Sequence, residues 1–232
     1  MRYVLIGFIC IALLGSTFIG YNKFIKGNKN LSNTKESAKK APNKVTTEVK
    51  KDKVEPKKIE KDIFPSDKVK SDIESKNYLD LYEEVVKWKD KNVPDNDKVI
   101  LSKAVELLKS EGVEYFYNKG CTYMNNNDYN NSKIYFTKAY EIGKESYLYP
   151  HIIYMTGTAF YSSGDVENAI KYYKQYDQDF SSGNYEDTVL YNLAIIYKDT
   201  DKSQAKAYAQ KLLDKYPESI YNNSVIRGLT NM

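Results

Sequence analysis

IYMTGTAFYSSGDVENAIKYY, residues 153–173, decides the fold of this chain. Ile153, Gly157, Phe160, Gly164, Ala169 and Tyr173 stand at offsets 0, 4, 7, 11, 16 and 20 within it. Steps of three or four between apolar and small positions are the period of an amphipathic helix. Ser163-Gly164-Asp165 interrupts that period: Gly tolerates the left-handed turn that ends one helix, and Asp accepts from the free N–H groups that open the next. The stretch therefore predicts two helices joined by a tight turn. The small residues Gly157 and Ala169 mark where the backbones approach, and Phe160 and Tyr173 fill the space beside them.

The same arrangement recurs on both sides. Tyr117, Lys119-Gly120 and Tyr123 return 37 residues later as Tyr154, Thr156-Gly157 and Phe160, and 37 later again as Tyr191, Leu193-Ala194 and Tyr197. A fixed period of 20 to 50 residues marks a repeat array. The upstream unit carries Phe116, Gly120, Tyr123, Asn127, Tyr129, Phe136 and Ala139, with Ser132 at a small-residue position. The downstream unit carries Leu190, Leu193, Ala194 and Tyr197; after a turn one residue shorter come Ala205, Ala209, Leu212 and Pro217.

This pattern resembles the tetratricopeptide repeat, whose signature sets a small residue, an aromatic, a turn Gly, an Ala and another aromatic at those offsets. Ser132 departs from it, since the family prefers Ala there. Lys215-Tyr216-Pro217-Glu218-Ser219 is the usual helix-ending phrase of such units. The resemblance implies an all-α fold, a right-handed solenoid of antiparallel helical hairpins, with clear repeats at about 113–146, 150–183 and 187–219. Residues 63–232 would hold about five such units of about 34 residues each. Upstream, Tyr78, Leu81, Tyr82, Val85 and Trp88 or Lys89 predict the second helix of a degenerate unit, ended by Val93-Pro94-Asp95. Val99, Leu101, Ala104, Val105 and Leu108 predict the apolar stripe of a further helix, which Gly112 stops or bends. A last short helix is expected between Ser219 and Leu229.

Ahead of the repeats the composition changes twice. Tyr3 to Gly20 is an uncharged run of 18 residues between Arg2 and Lys23, just long enough to cross a bilayer. A cleaved signal would use Gly15-Ser16-Thr17, but Phe18-Ile19 prolongs the apolar run past it. A lipoprotein signal does not fit Gly7-Phe8-Ile9 ahead of Cys10. An uncleaved transmembrane anchor over 1–22 fits best. Residues 23–62 then carry 13 Lys against 6 acidic residues, with Pro42 and Pro56, and read as a disordered Lys-rich linker. It is a solvated tether or a basic strap for anionic lipid or wall polymer; the interspersed Glu and Asp favour the tether. Six Lys at 23–40 would hold the long part in the cytoplasm by the positive-inside rule. The layout of span, stalk and repeats resembles bacterial signal-anchored envelope proteins, which places the repeats on the extracytoplasmic side instead.

Charge and chemistry narrow the function. The overall +4 is owed to the linker and Arg2, so residues 63–232 carry −4. That is no electrostatic footprint for nucleic acid. Cys10 and Cys121 form no disulfide framework. His151 is the only His and cannot build a metal cluster. Glu83-Glu84 and Glu186-Asp187 are neighbours that point apart on a helix, so they read as solvated charges and not as an acid/base dyad. No phosphate loop or nucleophile elbow occurs, and no cofactor or small-molecule substrate is expected.

What the resemblance does offer is a groove. First helices of tetratricopeptide arrays line a concave face, and the matching positions here are Tyr117, Cys121 and Met124; Tyr154, Thr158 and Tyr161; Tyr191, Ile195 and Lys198. Tyr117, Tyr154 and Tyr191 would form a ladder of flat rings with polar tips, suited to an extended peptide or a partner helix. The competing reading is that these rings hold the first helices together. The expected function is a non-enzymatic, membrane-anchored scaffold binding proteins or peptides in this groove; the alternative is a structural subunit of a cell-envelope assembly that oligomerises through its repeats.

Overall fold

The computed structural model describes residues 63–232. The expectations for the anchor over 1–22 and the linker over 23–62 lie outside the described residues. Pro65–Met232 forms one compact unit.

Every regular element among the described residues is helical. In chain order these are α1 (Ser66–Ser75), α2 (Tyr78–Trp88), α3 (Asp95–Leu107), a π-helical turn (Leu108–Gly112), α4 (Val113–Asn125), α5 (Tyr129–Ile142), α6 (Tyr149–Ser162), α7 (Val166–Asp179), α8 (Glu186–Tyr197), α9 (Lys202–Lys215) and α10 (Ser224–Thr230). Three hairpins, α4/α5, α6/α7 and α8/α9, stand in a row, with α5 packed on α6 and α7 on α8. The described residues hold these three complete hairpins and not five; the remainder is α1 to α3 ahead of them and α10 behind.

Each hairpin is assembled by the same devices. The second helix is N-capped by an Asp: Asp128, Asp165 and Asp201 accept from the backbone N–H of Asn131, Asn168 and Gln204 at 3.1, 3.2 and 3.0 Å. Gly164 takes φ +85° in the middle turn, and Asn127 takes φ 58° at the matching place in the first. Where the helices cross, a Cβ on Gly120 would lie 2.6 Å from the Phe136 ring, and one on Gly157 2.9 Å from that of Tyr173. Both rings are completely buried. The third hairpin reaches the same closeness with Ala194, Ala205 and Ala209, which share one cluster with Leu190 and Leu212. Ser132 fits the small position and also donates from Oγ to the Gly120 carbonyl at 2.9 Å, so its buried hydroxyl is satisfied.

Ahead of the hairpins the pattern differs. α3, the π turn and α4 run on as one helical rod from 95 to 125, so Gly112 does not stop the helix. The buried positions Ala104, Leu108, Gly112, Phe116 and Gly120 recur every four residues. With 3.6 residues per α-turn such a stripe drifts around the helix, and one wider turn takes up the drift. α2 leans on α4 through the Tyr82 and Phe116 rings, 5.5 Å apart, and Lys138 of α5 reaches Glu83 at 2.5 Å. α1 had no counterpart in the sequence reading. It is tied to α2 by Lys68, whose ammonium lies 3.0, 3.3 and 3.3 Å from Asp72, Asp80 and Glu84. The C-terminal helix is Ser224–Thr230, capped by Asn223, and it buries Ile226 and Leu229.

Candidate binding surfaces

The nine groove positions come out unequal. Tyr117, Cys121 and Met124 on α4 are 2, 7 and 4% exposed. Tyr154 and Thr158 on α6 are 4 and 9% exposed, and Tyr191 on α8 is 6% exposed. Tyr161 and Ile195 are half-buried, and Lys198, just past the end of α8, is exposed. The Tyr ladder is thus largely interior, which corrects its picture as open flat area.

The rings go into packing within and between units. Tyr117 lies 5.8 Å from Phe136 of its own hairpin. Tyr154 stacks face to face on Tyr185, centroids 4.2 Å apart and planes within 4°, and also meets Tyr173 and Tyr176. Tyr191 meets Tyr221 at 4.9 Å. Tyr185 precedes α8 and Tyr221 follows α9, so each of these two first-helix rings is covered by the connecting segment after its hairpin. Thr158 Oγ1 donates to the Tyr154 carbonyl and accepts from the Tyr173 hydroxyl. Burial pushes the phenols of Tyr154 and Tyr173 above their ordinary range, so both remain protonated donors.

His151 belongs to this packing. Its Nδ1 is 2.6 Å from the Tyr185 hydroxyl, and the two rings meet edge to face. Burial lowers the imidazole's pKa, which favours the neutral ring. The residue holds Tyr185 against Tyr154.

Glu186 corrects the reading of Glu186-Asp187 as solvated charges. Its side chain is completely covered. It accepts from Lys215 Nζ at 2.8 and 2.6 Å, from the Tyr216 hydroxyl at 2.6 Å and from the Ser182 backbone N–H, with Lys211 at 3.4 Å. Burial alone would raise this carboxyl; the bonds from Lys215, Tyr216 and Ser182 outweigh it and hold the pKa down to about 2. The carboxylate locks the end of α9 onto the start of α8. Its donors saturate it, so it is a clamp and not an open acid.

A second surface lies on α3. An open cleft of about 790 Å³ runs between α3 with its π turn and the end of α5. Leu101, Val105, Ile142 and Tyr147 supply its apolar floor, and Lys89, Glu106, Lys109 and Glu145 its charged rim. Of the apolar residues that marked this helix, Val99 is 58% exposed and Leu101 and Val105 are half-buried. Only Ala104 and Leu108 of that set are buried. Helical period shows which residues share a face, but not whether a neighbour covers that face.

Among the described residues no group of three or more His, Cys, Asp or Glu is placed to hold a metal, and no helix is long and apolar enough to cross a membrane. Family models described as tetratricopeptide repeat match residues 113–143, and, for a second model, 152–182 and 188–219. These spans coincide with α4/α5, α6/α7 and α8/α9. No curated protein matches the chain. The chain carries three tetratricopeptide repeats, and such repeats generally mediate protein–protein interaction.

Proposed function

We propose, from three tetratricopeptide repeats in a row, that this chain is a non-enzymatic scaffold for a protein or peptide partner, held at a membrane by the apolar run from Tyr3 to Gly20. The observation that carries the reading is the division of the first helices into two kinds of position. Tyr117, Tyr154 and Tyr191 are committed to the interior. Tyr161, Ile195 and Lys198 stay reachable near the turn ends of α6 and α8. The buried rings fix the spacing of the first helices, and the reachable side chains meet the partner. A phenol, a branched aliphatic and an ammonium suit a partner with an apolar anchor and an acidic group near it.

Two measurements test this reading. Tyr161→Ala together with Lys198→Glu should abolish partner capture by the detergent-solubilised full chain, with helix content and melting temperature kept. Capture of the same protein by the double variant would remove the groove from the account. For the membrane, Ser37→Cys in the linker should be labelled in intact cells by a thiol reagent that cannot cross the bilayer. Labelling only after lysis would place the repeats in the cytoplasm, and recovery of the chain without membrane would remove the anchor.

A further inference from the structure

His151 is the single histidine of the chain, and the scaffold reading makes no use of it. Its side chain is the one whose ordinary pKa, 6.5, lies nearest neutrality. It stands third in α6, at the positive end of the helix. Its Nδ1 lies 2.6 Å from the Tyr185 hydroxyl. A phenol donates to a ring nitrogen more readily than it accepts, so the neutral imidazole takes this bond at Nδ1 and carries its own hydrogen on Nε2. The bonded Tyr185 lies flat on Tyr154, with ring planes within 4°, and its backbone N–H donates to the Tyr176 hydroxyl at 3.1 Å. The segment between α7 and α8 that carries Tyr185 also carries Ser182, a non-glycine held at φ 76°. One imidazole thus fastens a strained connection over Tyr154 of α6.

We propose that His151 is an acid-sensitive latch: neutral, it holds Tyr185 on Tyr154; protonated, it leaves for water and lets the segment between α7 and α8 lift from α6. Protonation opposes the held arrangement in three ways. Nδ1 loses the lone pair that accepts the phenol hydrogen. The imidazolium would be half-buried among rings, and it would face the free N–H groups that open α6. Among the described residues it bonds no carboxylate, and burial moves its pKa down. The acids on the surrounding elements are taken up elsewhere: Glu141 by Tyr82, Glu145 by Lys109, Asp177 by Lys211, Asp179 by Gln175, Glu186 by Lys215 and Tyr216, and Asp187 by Ser219. Glu114 on α4 and Lys144 after α5 do not bond it either. The held ring titrates below 6.5 and the released ring close to it, so the released form takes up the proton first. The latch is whole above pH 6.5 and weakens below it. Release grows by up to about tenfold per pH unit until the held ring titrates too. The Glu186 clamp at the same junction keeps its full strength down to pH 4.5, so the two act in separate windows. Release uncovers Tyr154, and mild acid adds a flat ring to the groove.

A single histidine makes the test direct. The detergent-solubilised full chain, grown with isotope-labelled histidine, gives one imidazole signal to titrate by nuclear magnetic resonance. Near neutral pH its ring shifts should mark the hydrogen on Nε2, and its midpoint should fall below 6.5. Tyr185→Phe keeps the stacked ring, removes the bond to Nδ1 and should move the midpoint up toward 6.5. Amide exchange over residues 181–186, corrected for the intrinsic effect of pH, should quicken by up to about tenfold per pH unit as acid is added below 6.5. In His151→Phe, which cannot titrate, that acceleration should be absent. Where His151→Phe folds poorly, the midpoint of Tyr185→Phe decides. The proposal is overturned by a ring hydrogen on Nδ1, by a parent midpoint at or above 6.5, or by a Tyr185→Phe midpoint that does not rise. Equal acceleration of exchange in the parent and in a folded His151→Phe overturns it as well.

Discussion

From Val113 to Tyr216 the helices are held by shape, with a small residue on one helix pressed against a ring or an alanine on the other. From Ser66 to Gly112 an apolar core of Val69, Leu81, Val85, Trp88, Ala104 and Leu108 is joined by charged contacts: Lys68 among three carboxylates, Tyr78 on Glu111, and Trp88 Nε1–H on Glu84. The difference concerns tolerance. A ring packed where a single Cβ would clash fixes the crossing of two helices to a fraction of an ångström, and volume errors there are felt at once. An ammonium that reaches several carboxylates can give up one and keep the others. The ring-filled crossings of the hairpins should therefore be intolerant of change and the charged contacts of α1 to α3 permissive, and the expected effects on stability rank accordingly.

The largest loss is expected for Tyr173→Ala, which empties a completely buried ring site in the middle hairpin. Denaturant unfolding of the full chain should show about 3–5 kcal/mol of destabilisation. A loss under 1 kcal/mol would mean the hairpins are not held by their rings. Glu186→Gln comes next, at about 2–4 kcal/mol near neutral pH, because Lys215 and Tyr216 lose the charge that organises them. Lys215 is partly exposed and can turn to water, which favours the lower end of that range. This site also fixes a pH dependence. The folded carboxyl titrates at about 2 against an ordinary 4.5, so the unfolded chain takes up the proton first as acid is added. The contribution is whole above pH 4.5 and is lost as pH falls from there toward 2. Urea midpoints measured across that window should fall more steeply for the parent chain than for Glu186→Gln.

Smaller effects sharpen the same contrast. Asp165→Ala removes an N-cap from α7 and should lower stability by about 1 kcal/mol, with Asp128→Ala and Asp201→Ala similar, since all three make the same bond. Lys68→Ala should change stability by less than about 1 kcal/mol, because the side chain is 46% exposed and its ion pairs are screened. A thermal melt of each variant against the parent chain is enough to order these effects. A Lys68→Ala loss exceeding that of Asp165→Ala would reverse the contrast.

The hairpins were legible in the sequence because their devices are local or periodic. Gly164 and Asp165 announce the middle turn, and Gly120 and Gly157 recur against Phe136 and Tyr173 at a constant interval. The site was less legible. Helical spacing put Tyr117, Tyr154 and Tyr191 on one face, but their covers, Phe136, Tyr185 and Tyr221, come from elsewhere in the chain. Glu186 looked solvated because its donors Lys215 and Tyr216 lie almost a full repeat downstream. In the third unit the mismatched turn lengths still return Lys215 to Glu186, and the interval offered no cue for that. α1 was missed because Val69 and Ile73 are too sparse to show a period. Helical spacing put Val99, Leu101 and Val105 in α3 but carries no information about whether a neighbour covers them.

The claim on which all of this stands is that a small residue and a ring, one on each helix, build each hairpin by direct contact. A double-mutant cycle at Gly120 and Phe136, read by equilibrium unfolding of the full chain, tests it most directly. Gly120→Ala alone should cost about 1–3 kcal/mol, because its Cβ would meet the ring at 2.6 Å. In a Phe136→Ala background the same change should cost about nothing, since the ring it strikes is gone. Equal costs in the two backgrounds would contradict the account.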